Sequence, residues 1–142
     1  MSMPLDKETF ETVKAEAGVD MRTILVIDDE TGITQVIQEA LRMVGYEVEV
    51  ASNGKEGIRK FDHRPYDLVI TDICMPGVNG DSVARHIRHA SNGNTAIIGI
   101  SGTPWMLEND DFDMVLSKPF PLEDLIASVQ QLPAAGSDPA PL

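Results

Sequence analysis

A chain of 142 residues has the size of one domain and can bury a core without disulfide or metal staples. Hydrophobic residues at 42% and charged residues at 24% are ordinary globular proportions, and aromatics at 5% make the expected core aliphatic. A formal net charge of −12 argues against non-specific nucleic-acid binding and against an anionic membrane surface, and the lone cysteine, Cys74, excludes an internal disulfide.

Residues 1–21 form an N-terminal extension with a short helical pattern. Asp6 is its expected N-cap, Leu5 and Phe10 occupy hydrophobic-staple positions, and Phe10, Val13 and Ala17 recur at helical spacing up to Gly18. The stripe is narrow, so such a helix needs a surface to dock on, either this domain or a second copy. Met21 would also serve as a start residue. No basic flank followed by an apolar run marks a secretory signal, and no stretch approaches the roughly 18 apolar residues of a membrane span. With one cysteine, that predicts a cytoplasmic domain.

From about residue 22 to 132 strand-like and helix-like segments alternate. Thr23–Ile27 is a continuous apolar run, as expected of a strand buried on both faces. Ile33, Val36, Ile37, Ala40, Leu41 and Val44 follow at helical spacing, closed by Gly45. Glu47–Ala51 alternates, which predicts an edge strand with one wet face. Ser52 is the expected N-cap of a helix through Ile58 and Phe61. Leu68–Thr71 reads as a third strand, and after MPGVNG comes a helix carrying Val83, Ala84 and Ile87. Ala96–Ile100 and the short Met114–Leu116 are the fourth and fifth strands. A last helix over about 121–132 buries Leu122, Leu125, Ile126, Val129 and Leu132. Residues 133–142 carry three prolines and read as a disordered tail.

Buried strands alternating with helices predict an α/β fold: a five-stranded parallel sheet, doubly wound and flavodoxin-like, in the order 2-1-3-4-5. Ligands of such sheets bind at the carboxyl ends of the strands, beside the point where the winding reverses. Asp28, Asp29 and Glu30 follow strand one, Asp72 ends strand three, Ser101 ends strand four and Lys118 follows strand five. Carboxylates brought together repel one another and hold a proton or a cation, and a hard divalent ion such as Mg2+ prefers oxygen ligands. A lysine and a hydroxyl on the opposite rim suit an anion, so the set describes a site for a phosphoryl group on or near Asp72.

Four motifs occur in order, each at a predicted strand end: ILVIDDE (24–30), VITDICMPGVNG (69–80), ISG (100–102) and SKPF (117–120). With them the sequence resembles the receiver domain of bacterial two-component response regulators over residues 22–132. The resemblance implies Asp72 as phosphoacceptor and Asp28, Asp29, Asp72 and the Cys74 backbone carbonyl as the Mg2+ set, with Asp28 acting mainly through bound water. It implies Ser101 and Lys118 as phosphoryl-binding switch residues, a cis Lys118–Pro119 bond, and Cys74 and Thr103 as positions that tune hydrolysis. The phosphoryl donor is then a sensor histidine kinase or histidine phosphotransfer protein. No enzymatic activity is expected beyond the domain's own phosphorylation and dephosphorylation.

Two departures stand out. Val115 occupies a position the family usually fills with an aromatic residue, and valine has one stiff χ1 and no ring to swing. The stretch from Gly102 to Asp113 is short, so the helix between strands four and five is expected to be short or displaced. The expected function is a stand-alone receiver signalling to an unknown downstream protein, as a monomer or phosphorylation-dependent dimer, with no nucleic-acid or membrane partner. The alternatives are a receiver-like interaction module that is not phosphorylated and a receiver fragment of a hybrid kinase. An aspartyl-phosphate phosphatase would want a second carboxylate where Cys74 stands. A flavin site would want a hydroxyl- and glycine-rich loop where DDETG stands. His86 and His89 sit three apart on one helix and read as a solvated face rather than a zinc site. Trp105 reads equally as core plug or exposed contact.

Overall fold

The computed structural model describes residues 22–91, 93–103 and 111–132. The expected N-terminal helix, the proline-rich tail, Trp105 and most of the connection between strands four and five lie outside the described residues. Among the described residues five strands alternate with four helices: β1 (Thr23–Ile27), α1 (Thr31–Met43), β2 (Glu47–Ala51), α2 (Gly54–His63), β3 (Leu68–Asp72), α3 (Gly80–Ala90), β4 (Ala96–Ser101), β5 (Met114–Ser117) and α4 (Leu122–Gln131). All pairings are parallel, in the order β2-β1-β3-β4-β5. The predicted order holds, with β2 at an edge.

Period-two alternation along each strand sends its side chains to two cores. Ile24 and Val26 of β1, Leu68 and Ile70 of β3, and Ile98 and Ile100 of β4 meet Ile37 and Leu41 of α1 and Leu125 and Val129 of α4. Leu25 and Ile27, Val69 and Ile97 meet Phe61 of α2 and Val83, Ala84 and Ile87 of α3 on the other face. The cores are aliphatic, as composition requires, and Phe61 and Tyr66 stack with ring centroids 6.4 Å apart.

Helix boundaries follow local chemistry. Gly45 adopts φ 102°, and the bonds Gly45 N–H to Arg42 O (3.0 Å) and Tyr46 N–H to Leu41 O (3.1 Å) close α1. The N-cap of α2 is Asn53, not the expected Ser52: Asn53 Oδ1 accepts from Glu56 N at 2.8 Å. Ser52 lies one residue outside, where its N–H and hydroxyl both donate to the Glu56 carboxylate. That carboxyl is held below its ordinary range by the Ser52 side chain first and then by the Ser52 backbone N–H.

The last residues before β5 are tied to α3. Arg88 donates to the Asp111 carbonyl, to Asp113 Oδ2 (2.9 Å) and to Thr95 O (3.4 Å). Asp113 Oδ2 also accepts from Ile97 N at 2.8 Å. Phe112 then packs onto the second core, with ring atoms 2.8 Å from where a Gly99 side chain would begin.

Candidate functional site

Asp28 and Lys118 stand one step beyond β1 and β5, whereas Asp72 and Ser101 are the last residues of β3 and β4, and one further main-chain bond carries the ladder past the ends of β1, β3 and β5. Asp28 N donates to Ala51 O of β2 (3.1 Å), Ile73 N to Ile100 O of β4 (3.0 Å) and Lys118 N to Ser101 O (2.8 Å). The sheet therefore reaches one rung into the site, and the side chains project from a fixed frame. Strand parity explains which of them meet. Asp28 continues the Ile24–Val26 face, Asp72 the Leu68–Ile70 face and Lys118 the Met114–Leu116 face, all on the α1–α4 side. Ser101 falls on the other parity.

Asp28 is 1% exposed and Asp72 4% exposed, whereas Asp29 is exposed at the rim. Oxygen atoms of these three carboxylates lie within 4.8 Å of one another. Asp28 Oδ1 accepts from Glu30 N at 2.9 Å, but its Oδ2 is buried with no hydrogen-bond partner and has only the Lys118 ammonium at 4.0 Å. Lys118 Nζ donates to Asp72 Oδ2 at 3.3 Å and lies 3.9 Å from Glu30. Asp72 Oδ1 accepts from Cys74 N at 3.3 Å. Ser101 is buried, its Oγ accepting from Thr103 N at 2.9 Å, and Thr103 is exposed beside it. Cys74 is exposed. Val115 is half-buried on the edge strand, in register with Gly99.

The electrostatics record the crowding. Burial pushes the Asp28 carboxyl up to about 6 and Asp72 adds repulsion, against the Glu30 N–H and Lys118, which pull it down. Burial alone would lower the Lys118 ammonium, yet the Asp72 and Asp28 carboxylates outweigh it and hold Lys118 above its ordinary value. One lysine does not satisfy three carboxylates, one of them with an orphaned buried oxygen. A donor set of hard oxygens that is short of positive charge fits a small divalent cation such as Mg2+ and suits neither zinc nor copper.

The turn after Asp72 is set by close packing that sequence reading missed. A side chain on Gly80, the first residue of α3, would begin 2.4 Å from Asp72 O and 2.6 Å from Ile73 Cα. Asn79 caps that helix through Ser82 N at 3.0 Å, and Gly80 N returns to Ile73 O at 2.9 Å. The Asp-x-x-x-x-x-x-Asn-Gly spacing carried that signal. The Lys118–Pro119 bond is cis, as the resemblance implied. His86 Nε2 pairs with Asp62 Oδ1 at 2.7 Å, joining α3 to α2. Among the described residues, Asp28, Asp29 and Asp72 are the one acidic or histidine-bearing group close enough to hold a metal ion.

Comparison with known proteins agrees with the geometry. The family described as response regulator receiver domain matches residues 24–130. The transcriptional regulatory protein TrcR of Mycobacterium tuberculosis is 32% identical over 114 residues, 77% of this chain and 44% of its own length. The response regulator receiver protein CpdR of Brucella abortus is 31% identical, over 79% of this chain and 97% of its own length. The chain spans about half the length of the first curated relatives it matches. TrrA of Thermotoga maritima, solved in complex with Mg2+ and BeF, is 37% identical with a TM-score of 0.72, covering 78% of this chain and 98% of that one. A structure of the histidine kinase ThkA in complex with TrrA matches at 36% identity and a TM-score of 0.70, over 78% of this chain and 97% of the matched one.

Proposed function

This chain belongs to the response regulator receiver domain family, and from that premise we propose that it accepts a phosphoryl group on Asp72 and passes the signal on by protein–protein contact. The observation that carries this reading is the pairing of Asp72 Oδ2 with Lys118 Nζ at 3.3 Å beside the orphaned oxygen of Asp28. A carboxylate so placed keeps a free lone pair at the mouth of the site, and Lys118 stands where negative charge accumulates as phosphorus is approached.

Asp72 attacks the phosphorus of a phosphohistidine. An O–P bond forms to the carboxylate, the N–P bond breaks, and the electron pair returns to the imidazole, which then takes up a proton from solvent. Asp28, Asp29, Asp72 and the Cys74 carbonyl would hold Mg2+, which when bound supplies neutralising charge for the phosphoryl oxygens. Lys118 contributes the second positive charge from the opposite rim. Ser101, the last residue of β4, is proposed to donate its hydroxyl to a phosphoryl oxygen while its Oγ accepts from Thr103 N. Cys74 and Thr103 flank the position the phosphoryl group would take and are proposed to tune water access. The donor is proposed to be a histidine kinase or phosphotransfer protein, as ThkA's complex with TrrA suggests by analogy.

The test is intact-mass analysis of wild type and Asp72→Asn after incubation with acetyl phosphate, with and without Mg2+. A Mg2+-dependent gain of one phosphoryl group in wild type alone is expected. An equal gain in Asp72→Asn refutes the acceptor assignment.

A further inference from the structure

The basic residues of this chain are not spread evenly. α2 with its cap Arg64, and α3, hold six of the 11 lysines and arginines and all three histidines, against Glu56, Asp62 and Asp81. With the histidines neutral these two helices carry three net positive charges in a chain whose total is −12, which leaves −15 on the rest. Three of the six cations are already committed: Lys60 to Glu56, Arg64 to Glu47 and Glu49, and Arg88 to Asp113. Lys55, Arg59 and Arg85 are exposed and form no ion pair among the described residues.

The helices fix where these side chains stand. α2 turns Gly57 and Phe61 inward, and α3 turns Val83 and Ile87 inward. Lys55, Arg59 and Asp62 then fall on one exposed strip of α2, at spacings of four and three, and Arg85 and His89 on one exposed strip of α3. The strips adjoin, because the helices pack side by side and His86 Nε2 meets Asp62 Oδ1 at 2.7 Å across the seam. A rise of about 1.5 Å per residue puts Lys55 and Arg59, and Arg85 and His89, about 6 Å apart along their helices. Carboxylates two residues apart on an extended chain repeat at nearly that distance, about 6.5 Å.

The rest of the surface decides the class of partner. Among the described residues the exposed large apolar side chains, Val36, Met43 and Val44, belong to α1 and its cap. The α2–α3 face therefore offers no apolar anchor and holds a partner by charge. Its potential reaches about one Debye length, roughly 8–10 Å, before salt and the surrounding negative charge cancel it. A short acidic segment fits within that reach. A nucleic acid, with a charge about every 1.7 Å of duplex, would run past it onto the acidic remainder of the chain.

We propose that the α2–α3 face is a docking surface for a short acidic segment of another protein. Lys55, Arg59 and Arg85 are its pairing cations, and Asp62 is a central carboxylate that repels any acid placed opposite it. The contact does not require phosphorylation of Asp72, so its failure and a failure of the acceptor assignment are read separately.

The probe is a fluorescein-labelled hexaglutamate peptide, titrated with the full chain in metal-free buffer by fluorescence anisotropy. Backbone amide shifts are mapped on nitrogen-15-labelled protein in parallel. Saturable binding is expected, with shifts confined to α2 and α3 and affinity falling about fivefold or more between about 50 and 200 mM salt. Combining Arg59→Gln with Arg85→Gln should weaken binding about tenfold. Asp62→Asn should tighten it severalfold, a gain that a misfolded variant cannot imitate. Absence of binding at the lower salt, shifts that fall on α1 and α4 instead, or unchanged affinity in the arginine double variant overturns the proposal. So does a short single-stranded DNA that binds more tightly than the peptide, which would give the face to a nucleic acid.

Discussion

Asp28→Asn should make the metal-free protein more stable. Asp28 is almost completely buried, one of its oxygens has no hydrogen-bond partner, and its carboxyl is pushed up to about 6. Ionising it in the folded state therefore costs more than ionising it in the unfolded chain, whose value is near 3.8. At about 1.4 kcal/mol per pH unit the gap is worth about 3 kcal/mol, and the open mouth of the site reduces that to about 1–2 kcal/mol. The sign follows from the raised value: the stability is fully present below pH 4 and is lost as pH rises through about 6. Asparagine keeps an oxygen for Glu30 N and carries no charge to desolvate. Thermal melts in EDTA at pH 7.5 should place Asp28→Asn above wild type by roughly 4–8 °C, at about 4 °C per kcal/mol. The difference should close toward pH 4. Saturating Mg2+, which at a hundred times its dissociation constant adds about 2.7 kcal/mol, should raise wild type far more than the variant. A variant that melts below wild type in EDTA at pH 7.5, or a gap unchanged between pH 4 and 7.5, refutes the idea that an uncompensated buried charge strains this site.

Other perturbations separate the roles of neighbouring groups. Lys118→Met removes the cation that competes for Asp72 and Asp28, so calorimetric Mg2+ titration should show binding tighter by about tenfold, from charges a few ångströms apart in a largely aqueous mouth. Gly80→Ala forces a methyl onto the Asp72 carbonyl and Ile73 Cα; urea unfolding should show a loss of about 1–3 kcal/mol, with lower phosphorylation yield at equal folded concentration. Tyr66→Phe removes the phenol that donates to Glu49, a phenol raised by burial first and then by that carboxylate. This should cost about 1 kcal/mol in denaturant and leave acetyl phosphate labelling unchanged, because the pair lies far from the carboxyl ends of the strands.

Much of the molecule is legible because its signals are local or periodic. The runs 24–27 and 68–70 are apolar at every position because both faces of those strands are covered, and EVEVA alternates because β2 is an edge. Asp28, Asp72 and Lys118 are legible because a doubly wound sheet delivers strand ends to one crevice and the pleat puts residues two apart on one face. What the sequence hides is set by competition at short range or by approach at long range. Ser52 and Asn53 both suit an N-cap, and only the direction in which Glu56 folds back decides between them. The choice of Gly80 depends on a backbone eight residues earlier, and that of Gly99 on the Phe112 ring lying across it. The Ser101 Oγ accepts from Thr103 N, a turn contact that spacing along the strand does not reveal.

The extra rung at the ends of β1, β3 and β5 has a consequence for how this protein can change. The three bonds that continue the ladders into the site run from main chain to main chain: Asp28 N to Ala51 O, Ile73 N to Ile100 O, and Lys118 N to Ser101 O. No reactive side chain is a structural member of the sheet. The topology of the sheet is therefore set without the rim's side chains, which adjust its stability but do not build its ladders, and a lineage can edit that rim, erase its chemistry or fit another without relearning how to fold. A chain silenced at Asp72 would pass every assay of shape, and only an assay of phosphate would find the loss.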